Sequence, residues 1–79
     1  MYTVTIKHFY QVEYSEDEKI MSVEVDLRES TLQIGIRCIT NWNAPFDSEV
    51  LDMEKKKTIA ENIGTYLKNT QHKNYVIIY

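Results

Sequence analysis

Residues 2–14 read YTVTIKHFYQVEY, with Tyr2, Val4, Ile6, His8, Tyr10, Val12 and Tyr14 on even positions and polar residues on the odd ones apart from Phe9. A period of two belongs to a strand with one face on a core and the other in water, so a first strand is expected over 2–14. Ser15 to Lys19 (SEDEK) forms a charged turn, and beyond it Met21, Val23, Val25 and Leu27 alternate with Ser22, Glu24, Asp26 and Arg28. That alternation predicts a second strand over 20–28. Glu29-Ser30 interrupts it, after which Leu32, Ile34, Ile36 and Cys38 alternate with Gln33, Gly35 and Arg37, predicting a third strand over 31–40. Three such runs joined by short turns make an antiparallel meander with one apolar face.

The period then changes. Asn41 to Glu49 (NWNAPFDSE) holds the only Trp and the only Pro and reads as an ordered loop. Asp52 is placed to cap a helix over 52–69, in which Ile59, Ala60, Ile63 and Leu67, with Tyr66 beside them, share one face. Lys55, Lys56, Lys57, Glu61 and Lys68 take the other face. Gly64 costs such a helix up to about 1 kcal/mol relative to Ala. Tyr75 to Tyr79 (YVIIY) is a short run, apolar on both faces, that predicts a last strand over 75–79. The order β-β-β-α-β gives a two-layer α+β fold in a single domain, 1–79, with the helix over the apolar face of the sheet. A last strand returning parallel to the first would give the order 4-1-2-3. The expected core is Val4, Ile6, Val23, Val25, Ile34, Ile36, Ile59, Ile63, Leu67 and Ile77.

The chain is 79 residues long, 43% hydrophobic and 27% charged, a globular composition with room for one small core. A domain of this size gains from a partner or a second copy. One cysteine, Cys38, allows no internal disulfide, which favours a reducing compartment and hence the cytoplasm. No stretch approaches the roughly 18 apolar residues of a membrane span, and the alternating N-terminus does not resemble a signal peptide.

No catalytic constellation emerges, so the chain is expected not to be an enzyme. His8 and His72 are isolated, and Cys38 is expected on an apolar face, where a thiol is inert without a base beside it. His8 shares the face of Ile6 and Tyr10 and reads as a core or edge residue. Glu24 and Asp26, two apart on one strand, read as a solvated face before a carboxylate pair or cation site. No metal site or cofactor is expected. Gly35 and Gly64 stand alone, which excludes the common phosphate-binding loops. Lys55-Lys56-Lys57 spreads around the helix, and Phe9 is the only aromatic expected on the outer sheet face. Nucleic acid is therefore disfavoured as a partner.

Charge is the informative feature. Residues 1–36 carry seven acids (Glu13, Glu16, Asp17, Glu18, Glu24, Asp26, Glu29) against three bases (Lys7, Lys19, Arg28), a net of −4, and the remainder carries +1. Such a hairpin either keeps a small sheet soluble or steers it to a basic partner. The Trp42–Phe46 loop has the same two readings: Trp42 and Phe46 cap the core, or they present an aromatic anchor. The candidate partner-binding residues are accordingly Glu13, Glu16, Asp17, Glu18, Glu24, Asp26, Trp42 and Phe46. The apolar last strand offers an alternative role, a structural or adaptor domain that forms a homodimer through Tyr75, Ile77 and Tyr79.

The C-terminal half also carries a resemblance. Ile39-Thr-Asn-Trp42-Asn-Ala-Pro45, an acidic loop to Val50-Leu51, Lys56-Lys57, Ile59, Asn62-Ile63, Tyr66-Leu67 and the closing Tyr75-Val-Ile-Ile strand resemble the immunity protein 74 family of bacterial polymorphic toxin systems. The match runs over residues 36–79, and Trp42-x-x-Pro45 is its distinctive part. The N-terminal meander fits the layout without adding a motif. The resemblance implies a cytoplasmic antidote that binds one cognate toxin domain and neutralises it by occluding its active site.

Overall fold

The computed structural model describes residues 1–79 as an α+β fold: a three-stranded antiparallel meander, one helix and a C-terminal strand. The meander is β1 (Tyr2–His8), β2 (Gln11–Glu16) and β3 (Lys19–Glu24), in the order β1-β2-β3. Its first hairpin replaces the single strand expected over 2–14. Val4 pairs with Tyr14 and Ile6 with Val12, so inward positions have the same parity on both arms and the alternation runs unbroken through the turn at Phe9-Tyr10. The register shifts between Ile6 and His8, a bulge at the end of the ladder. The second hairpin turns at Asp17-Glu18, where Asp17 takes a left-handed φ of 54° that its short polar side chain tolerates.

The second expected strand stops at Glu24. Val25 and Leu27 remain buried, and their N–H groups bond to the carbonyls of Tyr10 and Phe9, which fastens this segment to the first turn. The third expected strand is shorter still, because β4 covers only Leu32–Gly35 before a 3₁₀ turn at Ile36–Cys38. That turn keeps Ile36 in the core but leaves Cys38 exposed, correcting its placement on an apolar face.

The helix α1 spans Met53–Gln71. Asp52 caps it, its Oδ1 accepting from the Lys55 backbone N–H at 2.8 Å, and His72 ends it in a left-handed conformation with its N–H on the Lys68 carbonyl. Ile59, Ile63 and Leu67 form one buried row, with Ala60 and Gly64 beside it. Gly64 is required by packing: a β-carbon there would lie 2.7 Å from Tyr75 Cζ. The last strand, β5 (Tyr75–Ile78), pairs parallel with β4, Leu32 against Tyr75 and Gly35 against Ile78. The 4-1-2-3 order is thus corrected to two sheets, with α1 as the connection that parallel pairing requires.

All the buried side chains belong to one hydrophobic cluster, and none is charged. Of the expected core, Val4, Val23, Val25, Ile34, Ile36, Ile59, Ile63 and Leu67 are buried. Ile77 is half-buried against the cluster, and Ile6 is exposed near the end of its edge strand. Tyr14, Met21 and Leu32, apolar positions of the alternation outside that set, are buried too, as are Ile39 and Trp42. No helix is long and apolar enough to cross a membrane.

Candidate functional site

The pleat sorts the acidic residues into two groups. Val12 and Tyr14 of β2 and Met21 and Val23 of β3 face the core, so Glu13 and Glu24 face outward. Glu13 pairs with Ser22 and Gln11 with Glu24, which makes the two glutamates diagonal neighbours, about 7–8 Å apart in this geometry. Asp17 and Glu18 are exposed at the hairpin turn of the same sheet. None of these four carboxylates has an ion-pair partner, since the salt bridges of the chain are Lys19–Glu49, Arg28–Asp26 and Lys55–Glu16. Lys7 is exposed on the neighbouring strand but reaches none of them. The outward face of the meander therefore carries four carboxylates without ion-pair partners, with Lys7 as the unpaired base on the neighbouring strand.

Glu16 and Asp26 do not belong to it. Glu16 Oε1 accepts from Lys55 Nζ at 2.6 Å and its Oε2 accepts from the Tyr14 hydroxyl at 2.5 Å, while Asn62 Nδ2 donates to the same hydroxyl at 3.0 Å. This network ties the meander to the start of the helix, so Lys55 is a structural partner and not part of a free basic face. Burial by itself would raise the Glu16 carboxyl, but the hydrogen bonds from Lys55 and Tyr14 outweigh it and hold the group below the usual carboxylate range. Burial and the Glu16 carboxylate together push the Tyr14 hydroxyl well above the usual phenol range. Asp26 accepts from both the backbone and the guanidinium of Arg28, which lowers its carboxyl in turn.

A depressed Glu16 carboxyl contributes stability that is present above the unfolded value, about 4.3, and lost as pH falls through the lower folded value. The urea midpoint of the parent is expected to fall on acidification below about pH 5. Glu16→Gln lowers the midpoint at neutral pH and flattens this acid limb. Midpoints at neutral pH and at pH below 4 check this, and an unchanged acid limb would remove Glu16 from the network.

Trp42 is only 2% exposed, so of its two readings the core cap holds and the exposed anchor does not. The Asn43 N–H bonds to the Ile20 carbonyl at 2.7 Å and lays the loop beside β3, where the indole stacks on Tyr14 with ring centroids 6.2 Å apart. Phe46 is half-buried against the same cluster, and Lys19 Nζ lies 5.7 Å from its ring centroid. This loop, which contains a cis Ala44-Pro45 bond, is a lid on the core.

The exposed aromatic group lies elsewhere. At the first hairpin turn Phe9 is 51% and Tyr10 49% exposed, with the His8 ring 4.2 Å from that of Tyr10 and the Arg28 guanidinium 4.9 Å from that of Phe9. The bonds from Val25 and Leu27 fix the backbone of this tip. Reading 2–14 as one strand concealed it; Phe9, the apolar residue out of phase, was its visible signal. Gln11, which pairs with Glu24, follows Tyr10 directly, so aromatic tip and acidic face are continuous.

Protein-family models, curated proteins and solved structures give no match to this chain. Its chemistry must be read from the side chains. No group of three or more His, Cys, Asp or Glu residues is close enough to hold a metal ion. One surface pocket of about 440 Å³ lies at the end of α1, lined by Lys68, Asn69, His72, Lys73 and Asn74. Lys73 Nζ is already engaged by the Leu27 carbonyl. Tyr75 and Ile77 lie half-buried against the core, so the outward side chains of β5 are Val76 and Ile78.

Proposed function

We propose that the chain is an immunity protein, acting in the cytoplasm without catalysis of its own, that binds a cognate bacterial toxin domain and occludes its active site. The observation that carries this reading is the outward face of the meander, where Glu13 and Glu24 are diagonal neighbours and neither forms an ion pair. Carboxylates so placed add to one negative field, which a basic partner surface complements. Asp17 and Glu18 extend the negative field at the opposite hairpin turn. Phe9, Tyr10 and Arg28 supply residue types enriched at the energetic centre of interfaces. The class of partner is inferred from the resemblance of residues 36–79 to the immunity protein 74 family. A toxin that acts on nucleic acid has a basic substrate path, which an acidic face can fill.

The test is charge reversal on that face. Glu13→Lys with Glu24→Lys leaves folding within about 1 kcal/mol, because both side chains point to solvent. The same change is expected to weaken binding of the proposed cognate toxin domain by roughly a hundredfold, most strongly at low salt. It also abolishes protection of cells expressing that toxin. Undiminished binding and protection would place the interface elsewhere.

A further inference from the structure

The β4–β5 sheet has only two strands, and the outer edge of β5 has no partner. Residues 75–79 carry no charged side chain, and Val76 (44%), Ile78 (48%) and Tyr79 (62%) are exposed. Edge strands are normally guarded by charge or covered by a loop. In the meander, β1 carries Lys7, and the bond from Asn43 to Ile20 lays a loop beside β3. β5 has no charged residue of its own and no loop bonded along it, and the cation near it, Lys57, sits over the ring of Tyr79, 5.8 Å from its centroid.

The order of residues along this edge identifies what fits it. Tyr75-Val76-Ile77-Ile78-Tyr79 is close to a palindrome in side-chain type, Tyr and a branched aliphatic on each side of a central Ile. A two-fold interface places the same patch on both subunits, so it needs a surface that complements itself. With the axis at Ile77, Tyr75 faces Tyr79 of the second copy, Val76 faces Ile78, and Ile77 faces its own counterpart. Inward side chains meet inward ones and outward meet outward, so the pleat continues across the axis. We propose that a second copy of this chain binds here by antiparallel pairing of β5 with β5, joining two sheets into one of order β4-β5-β5-β4. Antiparallel pairs within partly parallel sheets are common. A contact of five residues a side lies below the size of a standard stable interface, so the dimer is weak and concentration-dependent. It uses none of the acidic residues assigned to the toxin, and the two proposals stand or fall separately.

Sedimentation of the whole chain from micromolar to near-millimolar concentration tests the pairing, with far-ultraviolet circular dichroism as the check on folding. The parent is expected to pass from monomer to dimer. Val76→Lys with Ile78→Lys puts like charges opposite each other twice across the axis and weakens the dimer by roughly tenfold or more. Val76→Lys with Ile78→Glu introduces as many charges into the monomer but sets opposite signs face to face, and dimerisation returns. A parent that stays monomeric throughout overturns the proposal, as does a like-charge variant that dimerises as tightly as the parent. A folded opposite-charge variant that fails to dimerise overturns the register and the axis with it.

Discussion

Trp42→Ala is expected to remove about 3–5 kcal/mol of folding free energy, the usual cost of emptying a large aromatic site in a core. The whole domain has on the order of 4–12 kcal/mol to lose, so the variant sits near the edge of folding at physiological temperature. The indole is buried, stacks on Tyr14 and closes the loop that lies beside β3. Its Nε1 has no hydrogen-bond partner among the protein atoms. Trp42→Phe removes that donor and keeps an aromatic ring, so it is expected to cost less than half as much as Trp42→Ala. Urea midpoints of the two variants measure the difference. A loss below about 1 kcal/mol for Trp42→Ala, together with failed toxin binding, would return Trp42 to the interface.

Phe9→Ala with Tyr10→Ala is expected to do the opposite, leaving stability within about 1 kcal/mol and weakening toxin binding by at least about thirtyfold. Half of each aromatic surface is already in water, and the carbonyls that hold this turn to Val25 and Leu27 survive the truncations. Binding calorimetry alongside urea unfolding separates the two quantities. Unchanged affinity would remove the hairpin tip from the interface. Severe unfolding would show that the tip belongs to the core.

The elements that the sequence announced are those whose signals are local. Asp52 and the Ile59-Ile63-Leu67 row locate α1 because cap and periodicity lie within the helix itself. The alternation over 2–14 marks extended chain, but even-numbered offsets across the first hairpin hide the turn that divides it into β1 and β2. A run of thirteen residues was itself a sign, since strands usually hold about 5–6. The pairing of β5 with β4 was not legible, because the partner of a short apolar strand is decided by where α1 delivers it. The acidic excess was visible in composition, and Glu13, Asp17, Glu18 and Glu24 remain on an accessible surface. Glu16 could not be separated from them, because Lys55 lies 39 residues away and is brought near only by folding. Asp26 and Arg28, two residues apart, could have been read as a pair.

The most direct test of the account is a titration of the proposed cognate toxin domain with the unmodified protein, reading residual toxin activity. The account predicts complete inhibition at one chain per toxin domain, with an affinity that falls steeply as salt rises, as expected when unpaired carboxylates meet a basic surface. Full toxin activity in the presence of excess folded protein, or a complex that leaves the toxin active, would contradict it.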